Sequence, residues 1–204
     1  MGAIFVFLGI NPCENALVKG IEMQGHRGNE LQGIILKGVE GFYTLRSPNS
    51  QENVSTMGLA QCRLNARGDI NSADLPASNN VYCVAMDGCV DNFDELKRWS
   101  STPFPINTDE ELLLAMLCVM DMVDKIEMLQ KLQGLIKGAP GITFINCHDE
   151  AIYALCGVNP LFIGYSDGGC YISSEVNALS PFCDKFVTLE LGEMAKITKS
   201  RAYL

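Results

Sequence analysis

Gly2-Ala3-Ile4-Phe5-Val6-Phe7-Leu8 stands at the head of the chain as an unbroken apolar run. Bounded by Gly9 and by Asn11-Pro12, it reads as an opening buried strand, and the elements that follow can be placed from it. Asn11-Pro12-Cys13-Glu14 supplies a cap residue, a proline at the first helical position and an acid three residues after the cap. A helix is therefore expected from about Pro12 to Gln24, broken by Gly25-His26-Arg27-Gly28. Gly33 to Leu36 and Gly41 to Leu45 read as a strand pair turned through Lys37-Gly38, and Met57 to Arg63 as a further buried strand. Asn65 to Asn80 has neither helical nor strand period and reads as a surface excursion.

Asn80 to Met86 is again a continuous apolar strand, ended by the turn signal Asp87-Gly88. Asp91 to Trp99 fits a short helix with an acidic start. Thr108-Asp109-Glu110-Glu111 is a capping box opening an apolar helix to about Met122, and Lys125 to Lys137 makes another. The remainder alternates strands and turns, at Ile142–Asn146, Ala151–Cys156, Leu161–Tyr165, Cys170–Ser174, Lys185–Glu190 and Met194–Thr198, with a short helix at Glu175–Ala178. Strands, then helices, then strands define a layered α+β sandwich.

The chain has 204 residues, enough for one domain with a core that needs no metal or disulfide staples. Hydrophobic residues make up 48% and charged residues 19%, without an apolar run near the roughly 18 residues needed to span a bilayer. The Met-Gly opening lacks the basic residues of a signal peptide, and Val6 breaks the myristoylation pattern, so a cytoplasmic location is expected. Fifteen basic against 24 acidic residues give a formal charge of -9, which argues against nucleic acid and anionic membranes as partners. Nine cysteines, an odd number without a CxxC pair, read as buried thiols in a reducing compartment. With only His26 and His148 beside them, no metal site is expected, and no cofactor.

Five segments, in order, resemble the glutaminase domain of class II, N-terminal-nucleophile glutamine amidotransferases, and with scaffold matches at Gly164-Tyr165, Cys170–Glu175 and Leu191–Ile197 the resemblance spans almost the whole chain. Gly2 to Leu8 resembles the Cys-Gly-Ile-(Phe/Val)-Gly strand, with Gly2 in place of the nucleophilic cysteine. Gly25-His26-Arg27-Gly28 resembles the (His/Tyr)-Arg-Gly loop beside the nucleophile. Gly58 to Gly68 resembles Gly-(Ile/Val)-(Ala/Gly)-His-x-Arg-(Trp/Tyr), with Gln61 for histidine, Leu64 for the aromatic and Arg63 as the arginine that clamps the glutamine carboxylate. Arginine suits that role because its planar guanidinium donates two parallel hydrogen bonds. Met86 to Asn92 resembles the His-Asn-Gly oxyanion segment, with Asp87 for asparagine and Gly88 retained. Asn107 to Glu111 resembles the (Ser/Thr)-Asp-(Ser/Thr)-Glu helix start, whose aspartate, here Asp109, holds the α-ammonium of glutamine. An acid in a first helical turn also has a purely structural use there.

The resemblance implies a four-layered α-β-β-α sandwich and a glutamine headgroup held between Arg63 and Asp109, with Arg27 and Gly28 alongside. It implies a glutaminase whose thiol is missing and whose oxyanion hole carries a carboxylate. Loss of one oxyanion donor typically costs roughly 100- to 1000-fold in turnover. Engineering would account for Gly2 alone; the joint departures at Gly2, Ala3, Gln61, Leu64 and Asp87 point to natural loss. The reading is a catalytically silent, pseudoenzyme domain that binds glutamine or a related amino acid, or regulates a synthase-type partner or a second copy. Its alternative is an active stand-alone glutaminase subunit releasing ammonia for a synthase, with Cys62 or Cys89 as replacement thiol. A single domain over 1–204, with no appended synthase domain, is expected. If the headgroup site survives, Arg63→Ala is expected to abolish carboxylate binding and leave stability nearly unchanged.

Overall fold

A computed structural model describes residues 2–28, 30–45, 55–64, 67, 75–100, 105–199 and 202–204. The opening run is strand β1 (Gly2–Gly9), buried at every position. Helix α1 (Glu14–Glu22) follows; β2 (Leu31–Lys37), β3 (Phe42–Thr44) and β4 (Met57–Arg63) complete the first block. The expected Asn11 cap is not used: the helix starts later, with Cys13 at the cap position and no side-chain cap bond. The Cys13 amide is instead tied to the Ser55 carbonyl at 2.8 Å, which fixes the entry of α1 from outside the helix.

Two-residue strand β5 (Ala77–Ser78) pairs with β6 (Tyr82–Asp87). The surface excursion expected over Asn65–Asn80 thus ends in a paired strand, with Leu75 and Ala77 buried; residues 65, 66 and 68–74 lie outside the described residues. Helices α2 (Phe93–Ser100), α3 (Asp109–Met120) and α4 (Lys125–Leu135) come next. The capping box of α3 forms as read: Thr108 Oγ1 accepts from the Glu111 amide, and the Glu111 carboxylate accepts from the Thr108 amide, both at 3.1 Å. The chain then supplies β7 (Gly141–Asn146), β8 (Ala151–Leu155), β9 (Leu161–Ser166), β10 (Gly169–Ser173), the one-turn α5 (Val176–Leu179), β11 (Lys185–Leu189), β12 (Met194–Thr198) and β13 (Ala202–Tyr203).

These strands form two sheets, ordered β11-β9-β10-β1-β4-β2-β3 and β13-β12-β8-β7-β6-β5, with antiparallel pairing throughout the described registers. Three apolar clusters separate four layers. Ile4, Val6 and Leu59 of one sheet meet Cys83, Ile145 and Ile152 of the other between the sheets. Phe5, Phe7 and Cys62 face the other way, onto Leu17 and Ile21 of α1 and Leu179 of α5. Val84, Met86 and Phe144 pack on Leu112, Met116 and Leu129 of α3 and α4. Strand alternation explains the split, since neighbouring residues of β1 serve opposite faces. The architecture is the expected α-β-β-α sandwich, and it brings the start of β1 and the end of β6 together across the central layer.

Candidate functional site

The register puts Gly2 opposite Arg63 on β4, and Arg63 opposite Leu31 on β2. Gln61 and Arg63, two residues apart, share the face turned toward the second sheet. Asp87 closes β6, is 1% exposed, and accepts from the Gly2 amide at 3.2 Å. Arg27 spans the same end: its Nε donates to the Gly2 carbonyl at 2.7 Å and its second guanidinium nitrogen to Asp87 Oδ2 at 2.6 Å. Side chains of Ser174 and Asn159 add hydrogen bonds to Asp87. Burial raises the Asp87 pKa above its ordinary value, opposed by Arg27 and these bonds. Outside Arg27, Glu175 Oε1 lies 3.6 Å from its guanidinium and 2.9 Å from His26 Nε2.

Glycine at position 28 is a packing requirement. A β-carbon there would stand 2.5 to 2.8 Å from the Arg63 backbone, so the loop reaches β4 only with glycine. Space at position 2 is short as well: a β-carbon on Gly2 would lie 2.8 Å from the Cys62 carbonyl oxygen and 2.9 Å from Arg63 Cδ. Gly88 has φ +125°, a conformation glycine adopts freely.

Arg63 runs past the end of β6 to the first turn of α3. Its guanidinium meets Glu110 Oε1 at 2.5 Å and Asp109 Oδ2 at 3.6 Å, all three side chains being 2% exposed or less. Arg63 and Asp109 therefore contact each other directly. Gln61 Nε2 donates both to the Met86 carbonyl at 2.7 Å and to Glu110 Oε1 at 2.6 Å. Burial raises the Glu110 pKa against the pull of Arg63 and Gln61. On the outer side Arg67 donates through Nε to Asp109 Oδ1 at 3.1 Å, and its guanidinium lies 4.5 Å from the Phe93 ring centre. Glu110 and Arg67 were absent from the residues singled out by sequence; the available signal was an acid where the resembled pattern has serine or threonine.

Neither thiol proposed as a replacement is activated. Cys62 is buried on the helix side of β4, and burial pushes its pKa up to about 11. Cys89 is exposed, but burial of its sulfur and the neighbouring Asp91 carboxylate raise its pKa too. Two surface hollows, of about 810 and 500 Å³, are lined by Ile126, Lys196 and Tyr203 and by Trp99, Val119 and Leu135 with their neighbours, and share no residue with this cluster. Among the described residues no group of three or more His, Cys, Asp and Glu is arranged to hold a metal ion, and no helix is long and apolar enough to cross a membrane.

The two stacked antiparallel sheets and their flanking helices form a sandwich of the N-terminal-nucleophile type, the fold of the glutaminase domains in solved amidotransferases. The chain is a homologue of the class II glutamine amidotransferases. It is 25% identical over 215 residues to a glutamine–fructose-6-phosphate aminotransferase of Geobacillus kaustophilus, covering 97% of the chain and 36% of that relative. The chain thus spans little more than a third of the curated relatives it matches. Glutamine phosphoribosylpyrophosphate amidotransferase from B. subtilis shares the fold with a TM-score of 0.82 at 17% identity, over 100% of this chain and 48% of that one. A glutamine aminotransferase class-II domain protein from Silicibacter pomeroyi aligns at a TM-score of 0.61 and 16% identity, over 98% of this chain and 97% of that one. No family model matches the chain.

Proposed function

We propose that this chain is a glutaminase-like domain without glutaminase chemistry, acting as a regulatory subunit toward a synthase-type protein or a second copy of itself. The observation that carries the reading is the Asp87 carboxylate, buried and engaged by the Gly2 amide and by Arg27. In the resembled mechanism that corner must supply a thiol and an oxyanion donor. Here position 2 has no side chain, and an ionised carboxylate at position 87 would repel the charge that develops on the substrate oxygen. Arg63 and Asp109, the headgroup residues implied by the resemblance, are ion-paired with Glu110, Arg67 and each other. Those internal pairs favour a role exerted through a protein partner over one in amino-acid binding. The partner class is taken from the relatives, whose names describe aminotransferases that use glutamine.

The test is calorimetric titration of the purified chain with L-glutamine, with ammonia measured on the same samples. The expected result is no ammonia above background. Ammonia release that is abolished by thiol alkylation would overturn the reading.

A further inference from the structure

Two departures from the family's pattern touch each other. Gln61 stands where the pattern has histidine and Glu110 where it has serine or threonine, and they are joined at 2.6 Å around Arg63. Glu110 is 0% exposed and Arg63 2%, so a full carboxylate has been carried into the interior to meet the guanidinium. Desolvating both charges is costly, and such a pair is stable only when the remaining polar atoms are satisfied. They are not: Arg63 Nε, Glu110 Oε2 and Gln61 Oε1 are all buried without a hydrogen-bond partner. An ion pair built for stability alone would use both carboxylate oxygens in the parallel fork that arginine offers. This one leaves a donor and two acceptors unpaired within the same buried cluster.

We propose that Glu110 is a built-in occupant of a carboxylate site, filling the place on Arg63 that a small free carboxylate, an amino acid's among them, would take. Arg67 completes the mimicry. Its guanidinium sits on Asp109 Oδ1 while Asp109 Oδ2 faces Arg63, so each charge of an amino-acid headgroup has an internal counterpart. The two occupants differ in freedom. Glu110 is enclosed, whereas the Arg67 side chain is 42% exposed, so the cation side of the site opens more easily than the anion side. Selection against free amino acids therefore rests on Glu110. This inference rests on the reading of the domain as silent, and deepens it by assigning the residue that closes the headgroup site.

The test uses the full chain, as wild type, as Glu110→Ser and as Glu110→Ser with Arg63→Leu, each titrated with acetate, L-glutamate and neutral acetamide. Glu110→Ser is expected to take up acetate and L-glutamate at least about tenfold more tightly than wild type, the gain from one charge-assisted hydrogen bond, and to lose this with Arg63→Leu. Should Glu110→Ser fold weakly, acetate is expected to restore its unfolding midpoint where acetamide does not. L-Glutamate binding to wild type as tightly as to Glu110→Ser overturns the proposal, as does equal restoration by acetate and acetamide. Ammonia release from L-glutamine by wild type, assayed alongside, would count against the silent reading, whereas L-glutamate binding to wild type as tight as to Glu110→Ser, without ammonia from L-glutamine, removes the role of Glu110 alone.

Discussion

The Arg27 guanidinium and the Asp87 carboxylate meet at 2.6 Å, with Asp87 1% and Arg27 16% exposed. The same arginine holds the Gly2 carbonyl, so one side chain ties the loop after α1 to the first strand of one sheet and the last residue of β6 in the other. Removing it strands a buried carboxylate. Arg27→Ala is expected to destabilise the chain by roughly 3 to 5 kcal/mol, the usual cost of breaking a buried pair from one side. Urea denaturation measures this directly. A loss below about 1 kcal/mol, the range of exposed pairs, would mean that water screens the contact.

Asp87 also sets a pH dependence. Burial raises its folded pKa above the ordinary 3.8, so between that value and the raised one the folded state holds a proton that the unfolded state releases. Stability from this group is complete below the unfolded pKa and is lost as pH rises through the folded pKa. Asp87→Asn abolishes the titration. The stability of wild type relative to Asp87→Asn is therefore expected to fall as pH rises across that window. Unfolding free energies of the two proteins that run parallel as pH rises from the ordinary carboxyl range toward neutrality would refute it.

Local signals in the chain translate into structure where one element contains the whole signal. The α3 capping box is such a case, as Thr108 and Glu111 need nothing beyond their own turn. Met57–Arg63 is another, since its apolar run is itself the strand. Signals fail where the deciding partner is remote. Asn11 has the chemistry of a cap, but α1 is anchored by a bond from Cys13 to Ser55. Strands β5 and β13, two residues each, exist through their pairing with β6 and β12. Glu110 reads locally as one more acid at a helix start, and its meaning lies in Arg63, 47 residues earlier. The resemblance drew Arg63, Asp109, Arg27 and Asp87 to one region of the chain's chemistry; which of them pair with one another was set by the sheet stacking.

Arg63 shows the consequence. Read as a clamp open to ligand, it is a side chain whose removal leaves stability nearly unchanged. In the fold it is the buried counterion of Glu110 and a neighbour of Asp109. Arg63→Ala is accordingly expected to cost roughly 3 to 5 kcal/mol, and pairing it with a Glu110→Met substitution to recover much of that loss, because an apolar pair replaces an ionic one. A double-mutant cycle reports the coupling. Additive losses would show that the two residues act independently.

Restoring the missing thiol alone is not expected to restore glutamine hydrolysis. In Gly2→Cys the new β-carbon must displace Arg63 Cδ and crowd the Cys62 carbonyl, which overpacks the junction at a cost of about 1 to 3 kcal/mol. A thiol placed there would still face the Asp87 carboxylate, where a developing oxyanion needs a donor. It would also lack a free guanidinium to orient substrate, because Glu110 holds Arg63. Three obstacles in one junction act as a unit, so single reversions should return nothing measurable, as non-additive catalytic groups do. Gly2→Cys, Gly2→Cys with Asp87→Asn, and both with Glu110→Ser form the series to assay for ammonia. Turnover is expected to appear first in the triple variant. Release by Gly2→Cys alone would show that neither Asp87 nor Glu110 closes the site.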